Sequence, residues 1–129
     1  MIAGIEHVTI AAKNTRALAN WYWLVLGFSK VLEADAEPQK IYFVIGSKGS
    51  ALEIIPASER DRFERAPNDP GICHIALAVS DFEGVYEDLK KKGVAFTGEP
   101  KELPNGVKFV FFTDPEGNLL HLVYRPRPL

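Results

Sequence analysis

The chain is poor in the residues that would tie it to several protein classes. Its 129 residues include one cysteine, Cys73, so no disulfide can form within it. No apolar run approaches the ~20 residues that a membrane-spanning helix needs, and no secretory leader precedes the first strand-like run. Both point to a cytoplasmic protein with no membrane partner. A net charge of −2 offers no basic footprint, which argues against nucleic acid. Gly-rich phosphate loops and Ser/His/Asp arrangements are missing. Histidine is scarce too, with three in the whole chain. What is present is ordinary for a globular protein: 47% apolar and 25% charged residues, in a length that suits one compact domain over 1–129.

The pattern of elements runs twice. Residues 5–12 read as a strand, and Asn14 caps a helix that runs to about Leu26 and stops at Gly27. Strand candidates at 28–35, 39–46 and 50–56 complete a first module over 1–56. The stretch 57–71 is rich in charge, Pro, Asn and Asp and reads as a linker, with a possible helical turn near Glu59–Glu64. The order then restarts in a second module over 72–126. A strand spans 72–79. A helix follows, introduced by the Ser80/Glu83 capping-box pattern and closed by Lys90, Lys91, Lys92 and Gly93. Strands at 94–99, 107–113 and 118–125 finish it. Each module is thus β-α-β-β-β, an α+β arrangement. Side by side, two modules make a curved eight-stranded mixed sheet around a cleft.

The histidines fall at matching places in this repeat. His7 and His74, at the starts of the two first strands, are 67 residues apart, and Glu53 and His121, on the two last strands, are 68 apart. With a two-residue period, His7 shares a face with Thr9 and Ala11, and His74 with Ala76 and Ala78. The neighbours of all four polar residues point the other way into the core, Cys73 among them as a packing residue. A single histidine on a strand is usually just hydrogen-bonded, and a single glutamate usually lies at an edge. Four in register are better explained by one divalent-metal site made of His7, Glu53, His74 and His121. Zn, Ni, Co, Mn and Fe(II) all accept such donors.

Other signals are weaker. The first helix is apolar nearly all round, from Ala17 to Leu26, which suggests that a second subunit of a homodimer covers part of it. Arg60, Arg62 and Arg65 read as a solvated charge run, and Asp81, Asp114 and Glu116 as cap and turn residues.

Glu6-His7-Val8, Trp21-Tyr22-Trp23-Leu24-Val25-Leu26-Gly27-Phe28, His74-Ile75-Ala76-Leu77-Ala78-Val79 and Phe112-Thr113-Asp114-Pro115-Glu116-Gly117-Asn118-Leu119-Leu120 together resemble the vicinal oxygen chelate superfamily. It holds glyoxalase I, methylmalonyl-CoA epimerase, extradiol dioxygenases and the fosfomycin and bleomycin resistance proteins. The resemblance covers nearly the whole chain and implies paired βαβββ modules, usually in a dimer. It places the metal positions on His7, Glu53, His74 and His121. Two residues depart from the pattern. The last-strand position, a Glu in glyoxalase I and epimerases, is His121 here. Where bacterial glyoxalase I has an arginine that helps hold glutathione, this chain has Ala11. Both point away from glutathione-hemithioacetal isomerisation.

The leading expectation is therefore a metal-dependent lyase or isomerase of the glyoxalase-like group. It would act on a small oxygen-chelating substrate through a metal-stabilised enediolate, with Glu53 or His121 as the catalytic base. A non-haem Fe(II) dioxygenase and a drug- or metabolite-binding resistance protein without catalysis are the alternatives.

Overall fold

The computed structural model describes residues 1–129 and divides into two compact units, Met1–Arg62 and Phe63–Leu129. The first contains β1 (His7–Ala12), α1 (Thr15–Leu24), β2 (Ser29–Ala34), β3 (Ile41–Ile45) and β4 (Ala51–Pro56). Its sheet has the order β1-β4-β3-β2, with β1 parallel to β4 and the other pairs antiparallel. The second contains β5 (Ile75–Ala78), α2 (Phe82–Lys91), β6 (Ala95–Phe96), β7 (Lys101–Glu102), β8 (Lys108–Thr113) and β9 (Leu119–Tyr124). Its order is β5-β9-β8-β6, with β7 also paired to β8 and β5 parallel to β9. Both modules are βαβββ, as expected. Of the strand expected at 94–99 only the short β6 forms, a second short piece, β7, follows at Lys101–Glu102, and both lie against β8, so the chain has nine strands.

Alternation decides which face of each sheet is covered. In the first unit Ile10, Ala12, Tyr42, Val44, Leu52 and Ile54 are buried, as are Leu18, Ala19 and Tyr22 of α1. In the second, Val110, Phe112, Leu120 and Leu122 are buried together with Phe82 and Leu89 of α2. The opposite faces carry no helix of their own unit. His7, Thr9, Ala11, Ala76 and Ala78 are all exposed there.

The helix ends show which local signals acted. Asn14 caps α1 as expected, its side chain accepting from the Ala17 N–H at 2.9 Å. The helix stops at Leu24, and Gly27 at φ +75° lets the chain turn so that Phe28 N–H reaches the Tyr22 carbonyl at 3.0 Å. At α2 the cap is Asp81, not Ser80. Its carboxylate accepts from Gly84 N–H at 3.0 Å. The expected partner Glu83 instead pairs with Lys108. Glycine at 84 suits this cap, because a Cβ there would lie 2.1 Å from the Asp81 carboxylate and displace it.

Three further expectations are corrected. The strand expected from residue 72 begins at Ile75, the first residue with a ladder partner, Leu120. Cys73 therefore lies ahead of the strand and is exposed, outside the core. The segment around Glu59–Glu64 forms no helical turn. The loop after it is held by Arg65, whose guanidinium donates to the carbonyls of Ile72, Asp69 and Pro70 at 2.7, 2.6 and 3.2 Å. Trp23 and Leu24 of α1 are 47% and 63% exposed. No helix is long and apolar enough to cross a membrane.

Loss of an N-cap costs about 1 kcal/mol. Asp81→Ala is expected to lower stability in urea denaturation by about that amount, while Ser80→Ala leaves it nearly unchanged. Equal losses for both would restore the Ser80 cap.

Candidate metal centre

The two parallel strand pairs place the histidines and their partners. In the first unit Thr9 on β1 lies opposite Glu53 on β4. His7, two residues before Thr9, shares its face. In the second unit Ala76 on β5 lies opposite His121 on β9, and His74 stands two residues before Ala76. The register is the same in both modules. It extends to a residue that periodicity alone did not single out. Phe43 lies opposite Glu53, and Phe111 lies opposite His121.

In the first unit the side chains converge. His7 Nε2 lies 3.3 Å from Glu53 Oε2. The Thr9 hydroxyl donates to that same Glu53 oxygen at 2.7 Å. The Glu6 carboxylate bonds His7 Nδ1 from the other side, and Phe43 sits edge-on to the imidazole at 5.8 Å. The hydrogen bond that His7 donates to Glu6 raises its pKa above the ordinary 6.5, against partial desolvation, and the charges of Glu6 and Glu53 add to the rise. A site that favours the imidazolium also favours a divalent cation in its place. The Nε2–Oε2 separation suits two donors sharing one ion. Bonds of about 2.0–2.2 Å in a tetrahedron put donor atoms roughly 3.3–3.6 Å apart.

The second pair has a different character. The rings of His74 and His121 lie 4.4 Å apart, with Phe111 edge-on to both at 5.1 and 4.9 Å and Phe109 at 5.9 Å from His121. His121 Nδ1 is buried without a hydrogen-bond partner. Burial, then His74, then Arg125, push the His121 pKa down to about 4. This imidazole is neutral near physiological pH, the form that binds metal. The donor chemistry of both pairs thus fits a divalent ion. The structure brings His7 to Glu53 and His74 to His121, but no three His, Cys, Asp or Glu side chains gather about one point.

Several residues are placed by structure alone. Glu6 and Thr9 act on the His7–Glu53 pair, and the Phe43/Phe111 pair flanks both modules' donors. The 68-residue offset that links Glu53 to His121 also links Phe43 to Phe111, and was the signal that could have revealed them. Asp114 is the turn residue expected, accepting from Glu116 N, Asn118 N and Asn118 Nδ2 at 2.9, 2.9 and 2.8 Å.

The depressed His121 pKa has a consequence for the metal-free protein. Between 6.5 and about 4 the folded chain binds fewer protons at His121 than the unfolded chain. The stability from this residue is therefore full above 6.5 and is lost as pH falls toward about 4. His121→Gln is expected to flatten that part of the acid-unfolding profile in denaturant titrations at stepped pH. An unchanged profile would contradict the assignment.

Comparison with known proteins adds to this geometry. A family model for the Glyoxalase/Bleomycin resistance protein/Dioxygenase superfamily matches residues 4–122. The metallothiol transferase FosB of Staphylococcus haemolyticus is 30% identical over 125 residues, covering 95% of this chain and 84% of that protein. The glyoxalase family protein from Enterococcus faecalis has a TM-score of 0.78 at 28% identity, covering 95% of this chain and 98% of that one. TnmS3, an antibiotic binding protein from Streptomyces sp. CB03234, shares the fold at a TM-score of 0.74 and 20% identity over 96% and 97% of the two chains. With its two βαβββ modules and a family match spanning nearly all its length, the chain belongs to the Glyoxalase/Bleomycin resistance protein/Dioxygenase superfamily.

Proposed function

We propose that this protein is a divalent-metal-dependent enzyme of the glyoxalase-like group, a lyase or isomerase that moves a proton on a small substrate with neighbouring oxygens. His7, Glu53, His74 and His121 are its metal ligands, and Zn, Ni, Co, Mn or Fe(II) suits three imidazoles and one carboxylate. The observation that carries this reading is the His7–Glu53 pair at 3.3 Å, repeated in register by His74 and His121. The ion supplies polarisation of the substrate's oxygens, which makes an adjacent C–H easier to deprotonate.

The chain's own residues divide the remaining work. Glu53 is the base. Its Oε2 is held by the Thr9 hydroxyl, and the carboxylate lies on the helix-free face of the sheet where a substrate has access. His121 is a ligand, held in its neutral form because burial and the neighbouring His74 and Arg125 push its pKa down to about 4. Glu6 orients His7 by accepting from Nδ1, which leaves Nε2 to donate its lone pair. The protein acts as a cytoplasmic homodimer, in which a second copy covers the exposed Trp23 and Leu24 of α1.

A second reading, thiol transfer, is favoured by the 30% identity to a metallothiol transferase. The same ligands serve it, and the reacting group is then a thiol.

Titration of metal-free protein with Zn²⁺ or Co²⁺ in a calorimeter tests the proposal. One ion per chain is expected. His7→Ala or His74→Ala should each weaken binding by at least the ~10–100-fold that loss of an outer-shell partner costs. Glu53→Gln should abolish deuterium exchange at the α-carbon of hydroxyacetone in D₂O. Absence of stoichiometric metal, or activity indifferent to chelator, sinks the reading. Metal-dependent consumption of a free thiol without proton exchange selects the transferase instead.

A further inference from the structure

The metal ligands say where the substrate's oxygens bind, but not what the rest of it is. The first unit carries a concavity of about 440 Å³ with His7 in its wall, within the ~300–1,000 Å³ typical of small-molecule sites. Its other walls are Val31 and Leu32 of β2, Phe43 and Ile45 of β3, and Ala51 of β4. We propose that this concavity receives the uncharged, apolar body of the substrate, aromatic or branched aliphatic, while the substrate's oxygens face His7. The proposal rests on the reading of His7 as a metal ligand and names the substrate class for that site.

Three observations carry it. The walls are apolar although a strand that forms them is an edge strand whose charges, Lys30 and Glu33, lie outside the concavity. β2 is the edge of its sheet, and edge strands are commonly guarded by charged side chains. Here Val31 and Leu32 are left 56% and 55% exposed at the mouth. Secondly, no lysine or arginine lines the concavity. Of the lysines nearest in sequence, Lys48 beside Gly49 stays outside the lining, and Lys30 and Lys40 are engaged elsewhere. Lys30 Nζ donates to Asn20 at 3.0 Å and sits 4.4 Å over the Trp23 ring, on the α1 side of the sheet. Lys40 pairs with Glu33 and Asp35 at 3.2 and 3.3 Å. Thirdly, the one carboxylate in the lining, Glu6, is already bonded to His7 Nδ1, so away from His7 the lining offers a substituent no charged partner. An anionic substituent would lose its water here and find no counter-charge. The second unit's concavity, about 220 Å³ beside α2, differs in kind, since Glu83 and Lys108 in its lining already pair with each other.

Two catechols isolate the body from the oxygens. 4-tert-Butylcatechol and 3,4-dihydroxybenzoate present the same neighbouring oxygens, and differ in an apolar against an anionic substituent. Zn²⁺ is redox-inert and leaves both intact. Calorimetric titration of the full chain, metal-free and Zn-loaded, should show the tert-butyl compound binding at least about tenfold more tightly, as expected for several buried carbons against an unpaired charge. Leu32→Arg and, separately, Val31→Lys should erase or invert that preference while Zn²⁺ affinity holds. Both substitutions fall on an exposed edge, so folding is not at stake. Equal binding of the two compounds, binding of neither, or a preference that survives both substitutions overturns the proposal. If Zn²⁺ binds and both catechols bind equally, the concavity assignment fails and the metal reading stands. If Zn²⁺ does not bind yet the tert-butyl preference persists and responds to Leu32→Arg, the metal reading fails and the apolar pocket stands.

Discussion

Each module closes through a parallel pairing of its first and last strands, β1 with β4 and β5 with β9, and the placement of every candidate ligand follows from it. Parallel neighbours need a crossover between them, which here includes a helix and two or more strands. The helix covers one face, and the strand period sends Ile10, Leu52, Leu120 and Leu122 under it. The same period sends His7 and Glu53, or His74 and His121, to the other face. A one-residue slip of β1 on β4 would put Glu53 opposite an inward-facing residue and separate it from His7. The apolar core therefore enforces the donor geometry. The register cannot slip without exposing side chains such as Ile54 and Leu120, which are fully buried.

The repeat is structural but not electrostatic. In the first unit His7 stands between two carboxylates, Glu6 and Glu53, and its cationic form is favoured. In the second, His121 is packed among Phe109, Phe111 and His74 and is held neutral. One module offers negative charge and the other a neutral nitrogen. A metal held by such a set keeps much of its positive charge, since a single carboxylate among the ligands neutralises only part of it. A histidine on the last strand, where the resemblance implies a glutamate, would leave such a centre more positive.

The surroundings of the donors point the same way in both units. Phe43 and Phe111 occupy equivalent places beside the first and second pair, and small side chains, Thr9, Ala11, Ala76 and Ala78, leave space on the same faces. In the first unit the apolar lining continues to the edge strand. Such walls favour a substrate whose recognition is mostly burial, with orientation left to a few polar atoms.

The sequence alone determined the repeat, the element order and the faces, because these depend on local periodicity and on an offset that can be counted. The 67- and 68-residue spacings reappear as strand register. The Asn14 cap and the Gly27 stop acted where they stood, since both are backbone effects within one turn. Choices among neighbours needed the tertiary structure. Ser80 and Asp81 are both capping residues, and the strand exit decided that the Asp81 carboxylate meets Gly84 N–H while Lys108 takes Glu83. Cys73 alternated correctly for a core position, yet the ladder begins only at Ile75, and without a ladder the alternation has no face to refer to. The electrostatic split between the two histidine pairs also lay beyond the sequence. Desolvation and the distances to Glu6, His74 and Arg125 depend on how chain segments far apart in sequence pack, and no spacing encodes them.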